Sequence, residues 1–135
     1  MTVVRITSAR MLGAYGFLRA IFEVFDRHRT PVDIVATSEV SVSLTVDDPT
    51  TLPAIAAELA RLGDVLVEED CAIICVVGEG LRGRPGVAGR VFGALGEINI
   101  ALISQGASST NLTFAVAGAD AAEAVTRLHA AFFGT

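Results

Sequence analysis

The stretch Gly13-Ala-Tyr-Gly-Phe-Leu-Arg-Ala-Ile-Phe-Glu-Val-Phe25 is answered seventy residues later by Gly83-Arg-Pro-Gly-Val-Ala-Gly-Arg-Val-Phe-Gly-Ala-Leu95. Each copy opens on a pair of glycines, and the apolar residues that follow fall at helical spacing. They are Phe17, Ile21, Phe22 and Phe25 in the first copy, and Val87, Val91, Phe92 and Leu95 in the second. Further along, Ser43-Leu-Thr45 matches Asn111-Leu-Thr113. The chain therefore repeats one small unit, from about Val3 to Glu69 and again from about Cys71 to Phe133, which gives domains at 1–70 and 71–135.

Working outward from the first glycine turn, Val3 to Ile6 alternates as a strand does, and Phe17 to His28 reads as a helix. Pro31 ends that helix, because the residue before a proline is pushed out of the α region. Val32 to Thr37 reads as a strand. Val40, Val42, Leu44 and Val46 alternate with Ser41, Ser43 and Thr45, the pattern of a half-buried strand. Asp47-Asp48-Pro49 breaks it, Thr51 is placed to cap a helix from Leu52 to Leu62, and Val65 to Glu68 closes the unit.

The second unit repeats the order with strand Cys71–Val77, helix Val87–Leu95, strands Ile98–Ser104 and Leu112–Val116, and a helix Ala121–Phe132 capped by Asp120. No closing strand follows. The fold class is α+β: two tandem ferredoxin-like βαββαβ modules with helices on one face of antiparallel sheets, the second lacking its last strand. That omission suggests an incomplete fragment, or a sheet whose open edge is completed by another segment or another chain. Glu68-Glu69-Asp70 is a joint too short to act as a linker.

Composition narrows the function. A net charge of −5, ten scattered arginines and no lysine leave no basic surface for nucleic acid phosphates. The longest apolar run, Ala72–Val77, is too short to cross a bilayer, and the N-terminus has no signal-peptide core, so a cytoplasmic protein is expected. Cys71 and Cys75 share one face of a strand and read as two buried thiols acting as small hydrophobes. They are too far apart for a disulfide and have too few neighbouring ligands for a metal.

No catalytic constellation forms. His28 and His129 fall near predicted helix ends, no serine sits in a nucleophile elbow, and Gly78-Glu-Gly-Leu-Arg-Gly83 lacks the parallel unit a dinucleotide site needs. No cofactor is called for. The better site is the helix start at Gly16-Phe17-Leu18, where free backbone N–H groups can hold a carboxylate and a glycine permits close approach. A glycine needed only by the turn would look the same. Asp33 and Glu39, read as lying near the same end of the sheet, would suit the positive charge of a small zwitterion, each hydrogen bond to a charged group being worth about 1.5–3 kcal/mol. Two solvated carboxylates are the plain alternative.

The run Val32-Asp-Ile-Val-Ala-Thr-Ser-Glu-Val-Ser-Val-Ser-Leu-Thr-Val46 strongly resembles the regulatory region of aspartokinases, above all the lysine-sensitive type. So do Met11-Leu12, Gly16-Phe17-Leu18, Phe22-Glu-Val-Phe25, Gly106-Ala-Ser-Ser109 and Asn111-Leu112, and the likeness covers nearly the whole chain. It implies a tandem of ACT domains, the first binding the end product lysine and pairing with the same module of a second subunit as a homodimer. The implied site is Met11, Gly16, Phe17, Leu18, Val32, Asp33, Ser38 and Glu39, with the α-carboxylate on the backbone of Gly16 to Leu18 and Asp33 and Glu39 facing the ammonium groups.

Gly13 and Ala14 depart from the lysine-sensitive pattern, which has a histidine and a serine there. The resemblance also implies that a segment just before the first module supplies the second module's missing strand. It further implies a kinase domain in the parent protein, so that this chain alone is non-catalytic and works by feedback inhibition of the kinase. Against this stand a free-standing amino-acid-binding module that regulates another partner, and a purely structural dimerisation domain. In the second module, Ala101 and Ala107 stand near the counterparts of Asp33 and Glu39, so it is not expected to bind the same ligand. There Ser108, Ser109 and Asn111 would hold a neutral amino acid or simply cap loops and pair modules.

Overall fold

The computed structural model describes residues 1–8, 16–38, 40–78, 85–105 and 111–133, which fall in two compact units, Met1–Glu69 and Asp70–Thr135. The first unit runs β1 (Thr2–Thr7), α1 (Phe17–Arg27), β2 (Val35–Thr37), β3 (Ser41–Val46), α2 (Leu52–Leu59) and β4 (Asp64–Glu68). Its sheet is antiparallel in the order β2-β3-β1-β4. Alternation sends Val4 and Ile6 of β1 and Val42, Leu44 and Val46 of β3 to one face. There they meet the helical stripes Ile21, Val24 and Phe25 of α1 and Leu52, Ile55 and Leu59 of α2 in one buried cluster.

Three expectations for this unit are corrected. The strand expected over Val32–Thr37 is only Val35–Thr37, because the Thr45 hydroxyl takes the Ile34 amide (2.9 Å) and interrupts the regular ladder. The helix expected over Leu52–Leu62 ends at Leu59, and Thr51 does not cap it. The Asp48 carboxylate instead accepts from the Thr50 amide (3.1 Å) and starts a 3-10 turn, Pro49–Thr51, that leads into α2. Finally, β3 is buried on both faces, with Ser43 and Thr45 enclosed as well as the valines. Its polar side is satisfied by Arg5 Nε donating to Ser43 Oγ (3.0 Å) and by the Thr45 bond to Ile34.

The second unit runs β5 (Cys71–Val77), α3 (Val87–Leu95), β6 (Ile100–Gln105), β7 (Asn111–Ala117) and α4 (Ala121–Phe133), with antiparallel order β5-β7-β6. This is the β1-β3-β2 arrangement of the first unit without a partner for β4 among the described residues. Ile74, Val91, Leu95, Leu112, Phe114 and Leu128 centre its core. The strand expected from Ile98 starts at Ile100, since the Ile98 amide is still bound to the Leu95 carbonyl (3.2 Å) in the turn that leaves α3. Asp120 lies in a 3-10 turn, Gly118–Asp120, ahead of α4.

Only one of the two thiols is enclosed. Cys71 is buried, whereas Cys75 is exposed on the bare edge strand, its sulfur 2.9 Å from Thr113 Oγ1. Among the described residues no helix is long and apolar enough to cross a membrane, and no three His, Cys, Asp or Glu side chains gather to hold a metal ion.

Candidate functional site

Helix α1 opens on Gly16, whose backbone is left-handed (φ 85°, ψ −5°) and whose carbonyl accepts from the Ala20 amide at 3.0 Å. Among the described residues no side chain caps this end, and the first amides of the helix have no helical acceptor. A Cβ added at Gly16 would meet none of the described residues within 4 Å. The glycine therefore serves the positive φ. Gly86 repeats all of this at the start of α3 (φ 79°, ψ 2°). Phe17 packs against the core of the first unit, while Leu18 and Phe22 face solvent.

The other predicted site residues are placed unequally. Val32 is half-buried against the core, and Asp33 is exposed with its amide bonded to the Thr45 carbonyl (2.9 Å). Ser38 is exposed and closes the β2–β3 turn through its amide to Ser41 (2.8 Å). Met11, Glu39, Gly13 and Ala14 lie outside the described residues, as do the Glu79–Arg84 segment and Gly106, Ala107, Ser108 and Ser109 of the second unit.

The expectation that Asp33 sits at the end of the sheet holding the glycine turn is corrected by the strand register. Thr45, opposite Asp33, pairs with Val3 at the beginning of β1, whereas Ser41, next to Ser38, pairs with Thr7 at its end. Four residues of strand, about 13 Å, separate the two positions. The eleven residues of α1, about 16 Å, lie between Gly16 and the loop that carries Asp33. Within one unit, Asp33 and Gly16 are not neighbours.

One charged cluster has no trace in the local sequence pattern. Glu58 on α2 accepts from Arg27 Nη2 at 2.6 Å and is bonded to His28 Nε2, so one carboxylate holds the last residue of α1 and the residue after it. The bond from Arg27, then that from His28, holds the Glu58 carboxyl below the usual carboxylate range, and the same contact raises the Arg27 guanidinium further. Beside them Thr30 and Thr51 share a hydroxyl–hydroxyl bond of 2.6 Å. His129 lies in the last turn of α4, near the helix end as expected, with its ring centroid 4.9 Å from that of Phe133.

A hollow among the described residues lies elsewhere. A groove of about 590 Å³ runs along the bare β5 edge, lined by Ile74, Val76, Val87, Leu128 and Phe132 among others. In the first unit the matching side of β1 is paired with β4, whose Val65 and Val67 pack on the core.

The duplicated unit, with two helices over an antiparallel sheet and a glycine-gated helix start, is of the ACT class, and the ACT domain family model matches residues 74–132. The lysine-sensitive aspartokinase 3 of Escherichia coli K12 is 40% identical over 140 residues, covering 98% of this chain and 31% of its own length. The aspartokinase of Schizosaccharomyces pombe is 38% identical, covering 94% of this chain and 25% of its own. Among solved structures, a chain assigned as a C-terminal regulatory domain of aspartate kinase from Porphyromonas gingivalis W83 superposes with a TM-score of 0.85 at 39% identity, covering 98% of this chain and 91% of that one. Escherichia coli aspartokinase III in complex with lysine and aspartate gives 0.85 at 42% identity, with 98% and 31% covered. The chain belongs to the aspartokinase family as its regulatory ACT region, and it spans about a third of the length of the Escherichia coli relative.

Proposed function

We propose that the first unit senses lysine and that its occupancy controls an aspartate kinase domain belonging to the same enzyme. The observation that carries this reading is the start of α1 at the left-handed Gly16, where among the described residues no side chain takes the first amides and a carboxylate can. The solved Escherichia coli relative that contains lysine supports the choice of ligand.

The separation of Gly16 from Asp33 bears on how such a site is built. A lysine side chain, a stem of four carbons, is too short to span the length of α1, about 16 Å, that lies between the Gly16 amides and the loop carrying Asp33. In this reading the carboxylate and the ammonium are therefore held by different copies of the chain. β2 is an edge strand, and two copies set antiparallel along it would bring Asp33 of one beside Ser38 and Gly16 of the other. The ligand then acts as a bridge between subunits. Its effect on the kinase is a difference in affinity between two arrangements, typically 1–3 kcal/mol in such couplings.

Thermal denaturation against lysine, threonine, methionine and arginine tests the reading. Lysine at about one hundred times its dissociation constant stabilises the fold by about 2.7 kcal/mol, the other amino acids do not, and Asp33→Ala abolishes the shift without lowering the melting temperature in buffer. A shift with a different amino acid replaces the ligand, and no shift with any of them removes the sensor. One lysine per chain is expected, because Ala101 stands in the second unit near where the first has Asp33. Two per chain would refute the assignment to the first unit alone.

A further inference from the structure

The two helices of each unit are fastened together in different ways. In the second unit Arg127 of α4 donates to the backbone carbonyl of Leu95, the last residue of α3, at 2.7 Å, and Arg90 of α3 donates to the Ala131 carbonyl of α4 at 3.0 Å. Both donors are permanent cations and both acceptors are backbone. The first unit has instead the Arg27–Glu58–His28 cluster, in which a single carboxylate joins the C-terminal end of α1 to α2. The Thr30–Thr51 bond ties the chain just after α1 to the residue before α2. All these ties lie at one end of α1; at the other, among the described residues, Gly16 has no side-chain cap and Phe17 packs on the core.

Over the length of α1, about 16 Å, a tilt of about 5° about the fastened end moves the Gly16 end by about 1.4 Å. A binding constellation tolerates only about 0.5 Å of misplacement. We propose that Glu58 is a positioning residue for the effector site: by clasping Arg27 and His28 it sets where the α1 amides point, so breaking the clasp weakens lysine binding without touching the ligand. This rests on the lysine reading of the Gly16 site.

The charged groups that bear on the clasp are Arg27 and His28 at the end of α1, Glu58 on α2, and Glu23 through its charge on Arg27. Because the folded state holds the Glu58 carboxyl below its ordinary range, the clasp contributes fully above the unfolded value. It is lost only as pH falls through the lower folded one, so it is closed at neutral pH.

The test uses the whole chain at neutral pH, with amide spectra recorded before and during titration with L-lysine for the unsubstituted protein, Glu58→Gln, Glu58→Ala and Arg27→Met. In the free protein the Gly16, Phe17, Leu18 and Arg19 amides are expected to shift, most in Glu58→Ala, while those of Gly86, Val87 and Ala88 stay in place. The lysine dissociation constant is expected to rise by about fivefold or more. Shifts confined to the neighbours of residue 58, with the α1 start unmoved and affinity unchanged, would overturn the proposal. If the unsubstituted chain ignores lysine, the effector reading fails, and the free-state amides alone decide whether Glu58 positions the α1 start.

Discussion

The first and second units begin alike and finish differently. Both open a helix on a left-handed glycine, and both lay two helices over β-strands in the same order. In the first, β4 pairs with the outer edge of β1 and its valines cover the helices. The second has no such strand among its described residues, and the price is an apolar groove in which Val77 is 73% and Phe133 78% exposed. A single five-residue strand, β4, is thus what the first unit has at the place where the second has a groove. The contrast also shows that the helix start is common to both units. Any difference in ligand response must come from the residues around it, such as Asp33 against Ala101.

Removing the largest core side chain of each unit should show whether the two cores are equal. Phe25→Ala and Phe114→Ala, both at fully enclosed rings, are each expected to cost about 3–5 kcal/mol in urea unfolding. Hydrogen exchange should report the loss chiefly in the unit that carries the substitution.

Next in size are two glycines crowded by backbone. A Cβ at Gly63 would stand 2.6 Å from the Thr7 carbonyl oxygen, and one at Gly118 would stand 2.8 Å from that of Asp70. Alanine at either should cost about 1–3 kcal/mol, since a backbone atom cannot swing aside.

The two helix-start glycines sharpen the comparison further. Gly16→Ala and Gly86→Ala meet no neighbour, so each should cost only the left-handed backbone strain of about 1–2 kcal/mol in thermal melts. Only Gly16→Ala is expected to blunt the response to lysine. An equal loss in Gly86→Ala would mean that the units share the ligand.

The smallest effects are gains. Arg29 (φ 51°) and Asp70 (φ 54°) are non-glycine residues in the left-handed region. Glycine at either should relieve that strain less its own unfolded-state entropy, a net gain of about 0.5 kcal/mol in unfolding free energy.

Much of this architecture can be read from residue pattern. Helix α3 is legible from end to end, because Gly86 starts it, Gly96 (φ 60°) stops it, and Val87, Val91 and Leu95 mark one face. The β3 pattern predicts a strand but not one enclosed on both sides, since alternation cannot show that Arg5 waits to satisfy Ser43. Side-chain periodicity gives the face of a strand, not the end of the sheet at which a residue lies, so it does not locate Asp33. The chain direction through α1 puts Asp33 at the end away from Gly16. The Glu58 clasp joins residues 30 and 31 positions apart and leaves no local pattern at all.

The pairing of β1 with β4 has a consequence for how the chain is made. Val3 waits for Glu68, and Thr7 for Asp64, so the first unit cannot close its sheet until almost its whole length has left the ribosome. Until then β1 lacks its β4 partner, as β5 lacks a partner on the matching side among the described residues of the second unit. Pairings of such long sequence separation are slow to form and expose apolar edges while they wait. During synthesis the first unit therefore shares, until β4 emerges, the hazard of edge-to-edge association that an unpaired edge strand carries.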